Sequence, residues 1–276
     1  MKKLFALIPL FIALSVSAQD SMFEEATKRV LSMIEEARTA PNDSLRNVLA
    51  DKAFNEFYTI VTDDYNMTYQ FQNINPISVL TSPDKLFRIF TWGLQFSDGN
   101  YKYYGVINYS VHGDVLTARL YDQSDETPNP ATANMQTDNW YGAVYYEVVQ
   151  LGGKKSNIYA LVGWDGGDLF VNRKVLEQVR LKLDDGGEIF FGGHFIDEHK
   201  RPCDRLIFEY TERAVMSLRY DKKLKMFVAD HLSPSSTEYK GNTKFMGPDG
   251  SFDGYQFQKG GSWMYIPDLD VKGSRF

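Results

Sequence analysis

Tyr159–Asp168 reads Tyr-Ala-Leu-Val-Gly-Trp-Asp-Gly-Gly-Asp, an apolar run that stops in a turn carrying two carboxylates. With Ile158 ahead of it, the run places Ile158, Ala160, Val162 and Trp164 at period two. That is the repeat of a β-strand, so these four side chains are expected on one strand face. Gly166-Gly167 can take positive φ without a Cβ penalty, which brings Asp165 and Asp168 close together at the end of a rigid element. Such a pair could bind a cation or do acid–base work. Asp and Gly are also the commonest turn residues, because Asp bonds its own backbone, and the turn therefore reads first as structural.

Working outward, the same period-two grammar runs from about Tyr65 to the end, punctuated by Gly, Asp, Asn and Pro. Phe90, Trp92, Leu94 and Phe96 share a face, Ser97-Asp98-Gly99-Asn100 turns, and Tyr101 to Val111 returns. Leu116, Ala118 and Leu120 continue the pattern. Asp122–Asn139, with Pro128 and Pro130, breaks it as a long polar segment, either a functional flap or a mobile loop. Tyr141–Leu151 pairs with Ile158–Trp164 around Gly152-Gly153. Val171–Leu183 is ambiguous, since Val171, Val175 and Val179 fit a helix while Val179, Leu181 and Leu183 fit a strand. The last third is a meander through Ile189–Phe195, Leu206–Tyr210, Met216–Tyr220, Leu224–Val228, Tyr255–Gln258 and Trp263–Ile266. About a dozen strands without intervening crossover helices favour antiparallel connectivity. No repeat of about 40 residues supports a propeller.

Ahead of this β region, Phe23, Ala26, Val30, Ile34 and Ala37 recur at helical spacing. After Pro41, a second stripe of Leu45, Val48, Leu49, Phe57, Ile60 and Val61 predicts another helix, capped by Asp43 or Ser44. The expected fold is mainly β, an antiparallel meander, sandwich or barrel-like, with an N-terminal helical hairpin. The expected division is a signal peptide at 1–18, the hairpin at 19–62 and the β domain at 63–276.

The signal reading rests on Lys2-Lys3, the apolar run Leu4–Leu14 and the small residues Val16 and Ala18 before Gln19. Eleven apolar residues are too few to span a bilayer, and no later stretch is longer. A periplasmic or secreted protein is expected. The one Cys, Cys203, excludes an internal disulfide. Of the 30 basic residues two lie in the leader, so against 36 acidic residues the formal charge moves from −6 to −8. Without a Lys/Arg stripe interleaved with aromatics, that balance disfavours nucleic acid. Aromatics make up 14% of the chain, which suits sheets and could serve a glycan or protein ligand.

Four stretches, Gly163–Gly166, Arg205–Tyr210 with Met216–Tyr220, Asp230–Pro234 and Gly247–Gly254, together resemble a family of exported proteins of unknown function from Bacteroidota-type Gram-negative bacteria. The resemblance covers roughly the last two-thirds of the chain. It implies no activity, cofactor or catalytic residue, only that these stretches belong together.

Several groups could carry chemistry. His194, His199 and Cys203, with Asp197 and Glu198 between them, could converge on zinc, but their spacing matches no mechanistic zinc motif. His231 could act as a base. Its neighbour Asp230 points to the opposite strand face, so a partner would come from elsewhere, such as Asp165 or Asp253. The acidic turns Asp184–Glu188 and Asp249–Gly254 suggest calcium without matching the twelve-residue loop. No Gly-x-Ser-x-Gly elbow supports a serine hydrolase. The candidate ligand-binding residues are Trp164, Asp165, Asp168, His231, Asp249 and Asp253, with Asp165 and Asp168 expected to meet the Asp249–Gly254 turn. No catalytic residue, metal ligand or cofactor is assigned, calcium being the one cation the turns suggest. The favoured function is a binding or envelope-associated module; the rival is a hydrolase of glycans or peptides. Trp92, Trp164 and Leu218 are expected in the core.

Overall fold

The computed structural model describes residues 7–184 and 186–270. Contacts divide the chain into two compact units, Met1–Ile77 and Ser78–Phe276.

The first unit is built on helices α1 (Leu7–Arg38) and α2 (Asp43–Val61). The expected face of α1 is the buried one: Phe23, Ala26, Val30, Ile34 and Ala37 all avoid solvent. The backbone is helical through Ala18-Gln19 without a break. On α2 the buried face is Ala50, Ala53, Phe54, Phe57 and Val61, while Leu45 and Val48 are exposed. The stripe is therefore rotated from the expected one, because alanines let the helices approach and carry much of the contact. The cap also lies one residue earlier than expected, with Asn42 Oδ1 accepting from Leu45 N at 2.9 Å. Residues 63–77 pack in this unit: Tyr65 donates to Asp20 at 2.5 Å, and Phe23 meets the rings of Tyr65 and Tyr69 at 5.3 and 5.2 Å. No described helix is long and apolar enough to cross a membrane.

The second unit is antiparallel β. Strands β1 (Ser78–Thr81), β2 (Phe87–Gln95), β3 (Tyr101–Val111) and β4 (Asp114–Tyr121) form a four-stranded meander in chain order. Strands β5 (Val144–Leu151), β6 (Ile158–Asp165), β7 (Val171–Lys182) and β8 (Glu188–Phe191) begin a second sheet. A two-stranded ribbon of β9 (Phe195–Ile196) and β10 (Pro202–Cys203) follows. Strand β11 (Arg205–Thr211) then joins the second sheet beside β7. Strands β12 (Leu218–Asp221), β13 (Met226–Pro234), β14 (Met246–Phe257) and β15 (Trp263–Ile266) close the chain as a third meander.

The ambiguous Val171–Leu183 stretch is thus strand as far as Lys182. One edge of β7 pairs β6, and the other pairs β11 through Val171–Glu177 and then β8 through Val179–Lys182. The helix-like spacing arises because both faces of β7 are buried, which erases the period-two signal. Strand β6 shows the same thing. Tyr159 and Leu161 join Phe87, Ile89, Ile107 and Val175 in one core, whereas Ala160 and Val162 join Leu206, Leu218, Phe227 and Trp263 in another. The second sheet therefore has a core on each face, a layered arrangement that alternation alone does not reveal. Gly163 lies where a Cβ would come within 2.9 Å of the Tyr145 ring, so glycine is what lets that ring cross the strand.

Trp92 and Leu218 are buried at 1% and 2% exposure, while Trp164 is only half-buried. It lies at the strand end, where its indole donates to Tyr210 and its ring meets Tyr101 edge-on at 5.3 Å. Asp122–Asn139 is tied down as a structural loop. Buried Met135 exchanges backbone hydrogen bonds with Phe191, and Asp122 accepts from Tyr103 N, Gly142 N and Ser124. The loop is also held by buried Arg205, which donates to the carbonyls of Pro130 and Ala133.

Candidate functional site

A cleft of 640 Å³ opens among the 197–203 loop, β11, the outer part of β13, residues 240–246, Tyr255 and Tyr265. Its chemistry centres on His231, and an irregularity in the strand ladder positions that residue. Asp230 pairs with Phe252, but the next pair is Leu232 with Pro248, so Asp249, Gly250 and Ser251 stand against His231 alone. Gly250 accommodates the excess at φ 92°. Such a bulge re-aims side chains. Here it sets His231 Nδ1 2.7 Å from Asp253 Oδ2 on β14.

Asp253 is buried, with side-chain exposure of 5%, and also accepts from the Tyr265 hydroxyl on β15. Asp230 is engaged elsewhere, accepting from Ser217 N at 2.8 Å, as its opposite strand face requires. Of the two partners considered for His231, the structure supplies Asp253. Partial burial works against charge on His231. The hydrogen bond and charge of Asp253, with Asp249 and Glu198 nearby, outweigh that effect and raise its pKa above the ordinary histidine value. Asp249 is exposed at the rim. Slight burial opposes its charge, but hydrogen bonds from Ser251 and Ser233 together with His231 bring its carboxyl down to about 2. With Nδ1–H donated to Asp253, the neutral ring keeps Nε2 as an acceptor, the arrangement a general base uses.

Glu198, on the loop after β9, completes the surroundings. Glu198, His231 and Asp253 each place a donor atom within 4.8 Å of the other two, the one such His, Cys, Asp and Glu group among the described residues. The expected His194, His199 and Cys203 trio does not assemble. His194 is exposed, with its carbonyl accepting from Trp263 N, and His199 is exposed with Nε2 3.5 Å from Glu198. Cys203 lines the cleft wall, where burial and the charges of Asp197 and Asp204 push its thiol up to about 11, against weaker lowering by Arg201 and Arg205. Its alkylation by iodoacetamide should accordingly be slow at pH 7.5 and rise roughly tenfold per pH unit up to about pH 10, since the thiolate is the nucleophile. A rate that levels off near pH 8.5 would show an ordinary exposed thiol.

Asp165 and Asp168 serve a different purpose. Asp165 Oδ1 accepts from Tyr103 Oη at 2.9 Å and Gly167 N at 2.8 Å, and Oδ2 accepts from Tyr141 Oη at 2.6 Å and Arg173 Nη1 at 3.2 Å. Burial and the Asp165 charge raise both tyrosine pKa values, so both hydroxyls remain donors. Asp168 caps its own turn, accepting from Phe170 N at 2.7 Å and Val171 N at 3.0 Å. Only Gly167 has positive φ, at 55°, while Gly166 is required for space because a Cβ there would meet the Tyr101 ring at 2.3 Å. The expected meeting of this turn with Asp249–Gly254 does not occur among these hydrogen bonds. Arg173 carries the link to the cleft instead, bonding Asp165 on one side and cleft-lining Glu209 on the other at 2.8 Å.

His231, Asp249 and Asp253 are therefore brought together, and Trp164, Asp165 and Asp168 stand apart from them. Tyr265 and Ser233 join the site without having been singled out in the sequence, and Glu198 joins it beside His231 rather than with the His194, His199 and Cys203 it was read with. Within Asp184–Glu188, Asp185 lies outside the described residues. Three of the four stretches that suggested a family, Arg205–Tyr210, Asp230–Pro234 and Gly247–Gly254, contribute to the cleft or its supporting strand. No family model, curated protein or solved structure matches this chain.

Proposed function

We propose that this protein is an exported, envelope-associated binding module that takes a polar ligand, a glycan or a peptide, in the cleft beside His231. The observation that carries this reading is a 640 Å³ cleft whose wall combines rings (Phe208, Tyr255, Tyr265) with polar and charged groups (Ser233, His231, Glu209). Sugar and peptide sites use that combination, rings for apolar faces and a few fixed polar groups for orientation. A hydrolase is the second reading, favoured by the 2.7 Å His231–Asp253 pair, with His231 as general base. It is weaker because Asp165 and Asp168, the turn pair that could have done acid–base work, are consumed by structural bonds.

Thermal melts against soluble hexasaccharides of glucose, xylose and N-acetylglucosamine and against a gelatin digest test the binding reading. A midpoint rise is expected that disappears in Tyr265→Ala, with no release of reducing ends or new amines. Turnover lost in His231→Ala would favour the hydrolase, and an unchanged midpoint with every probe would count against both. Export is part of the same proposal and is read from the leader alone. N-terminal sequencing of protein from the periplasmic fraction should begin at Gln19, and intact Met1 there would overturn it.

A further inference from the structure

We propose that Glu198, His231 and Asp253 form a binding site for a divalent transition-metal ion of the zinc class. The three come from separate elements, the loop after β9, the β13 irregularity and β14, and their donor atoms lie within 4.8 Å of one another. Zinc bonds to imidazole nitrogen and carboxylate oxygen are ~2.0–2.2 Å long, so the donors need only draw in around a common centre. Glu198 can do this, because its side chain is 41% exposed and approaches His199 no closer than 3.5 Å. Asp253 is the fixed member, its buried carboxylate oriented by the Tyr265 hydroxyl as supporting groups orient metal ligands. His231 Nδ1 and Asp253 Oδ2, at 2.7 Å, have the spacing of a proton-bridged pair. The ion takes the place of that proton, with the two atoms parting by roughly half an ångström to reach metal-bond geometry.

Charge points the same way. Asp253, Asp249 and Glu198 all act on one imidazole, while the nearby cation Arg201 is held by Asp197 at 2.7 and 2.8 Å. An imidazole donor selects against calcium and magnesium, which take oxygen, and suits zinc, cobalt or nickel. Three protein donors also leave a coordination position for water or for a ligand oxygen. The metal site itself stands on the three side chains. Only its role as the contact for the polar ligand rests on the cleft being the binding site proposed above.

The test uses the full chain stripped with EDTA and then titrated by calorimetry with zinc chloride and, separately, followed by visible absorption with cobalt(II) chloride. One equivalent of zinc should bind, cobalt should give visible ligand-field bands, and calcium chloride should give no heat. Glu198→Gln, an exposed change that leaves the strands untouched, should weaken zinc at least tenfold, and His231→Ala should abolish the cobalt bands. His194→Ala, the control for adventitious surface imidazole, should bind as wild type does. No zinc binding by wild type overturns the proposal, as does wild-type affinity in Glu198→Gln or loss of binding in His194→Ala. Hexasaccharide melts on the same stripped protein read the cleft separately: a midpoint rise without zinc binding sinks the metal site alone, and zinc binding without any rise sinks the ligand reading alone.

Discussion

Arg205→Met should lower stability by about 3–5 kcal/mol, because it strands a carboxylate in the interior. Arg205 and Glu177 are cross-strand neighbours on β11 and β7, both without solvent exposure, with Nε 2.6 Å from Oε1. Glu177 Oε2 accepts from Tyr145 Oη at 2.5 Å, and Tyr145 accepts in turn from Trp140 Nε1 at 2.8 Å. Without the guanidinium, a buried charge would keep one hydroxyl partner, and the carbonyls of Pro130, Ala133 and Phe191 would lose their donor. Arg205→Met combined with Glu177→Leu removes both charges and should recover much of the loss, though not all, since the loop carbonyls of Pro130 and Ala133 no longer have the guanidinium as a donor. Urea denaturation with the slope held equal measures both effects. A single-variant loss under about 1 kcal/mol, the size of an exposed pair, would show that solvent reaches Glu177.

Nothing in the sequence announces that network. Glu177 interrupts Val175-Leu176 and Gln178-Val179 as an ordinary outward residue of a half-exposed strand would, and Arg205 opens β11 like a solvated end. The hairpins were readable because each is local: Gln95 pairs Tyr101 across the Ser97–Asn100 turn, and Asp221 pairs Met226 across Lys222–Lys225. Burial on both faces of the second sheet was hidden, since it depends on the first and third sheets reaching it from opposite sides. The candidate site was legible in part. Strand parity excluded Asp230 as the partner of His231 and left Asp253 among the candidates. Glu198 could not be assigned, because its approach depends on how the β9–β10 loop lies against β13, a contact 33 residues away in sequence.

Asp165→Asn should destabilise the protein by about 2–3 kcal/mol, with no response to calcium before or after the change. From the sequence, a ligand-binding pair of uncompensated carboxylates predicts that Asn leaves the fold intact or helps it slightly, and a turn-forming Asp165 predicts little change, since Asn keeps most of the turn bonding. The structure predicts a loss instead. Four donors converge on Asp165, two on each oxygen, and one is a guanidinium. An amide has one oxygen to offer. If it serves Tyr103 and Gly167, its NH2 faces Tyr141 and Arg173; the tyrosine hydroxyl can turn and accept, whereas Arg173 carries only donors. Arg173 keeps Glu209 at 2.8 Å, which limits the loss to less than that of a wholly buried ion pair. The same four bonds occupy the acceptor positions a calcium ion would need, and Asp168 spends one oxygen on two backbone amides of its own turn. Thermal melts of wild type and Asp165→Asn, each with and without millimolar calcium, separate the alternatives. A lower midpoint for the variant with both curves unmoved by calcium is the expected result. A calcium-dependent rise confined to wild type would mean that the ion displaces Tyr103 or Tyr141 from a carboxylate they hold at 2.9 and 2.6 Å, and the turn would then be a site after all.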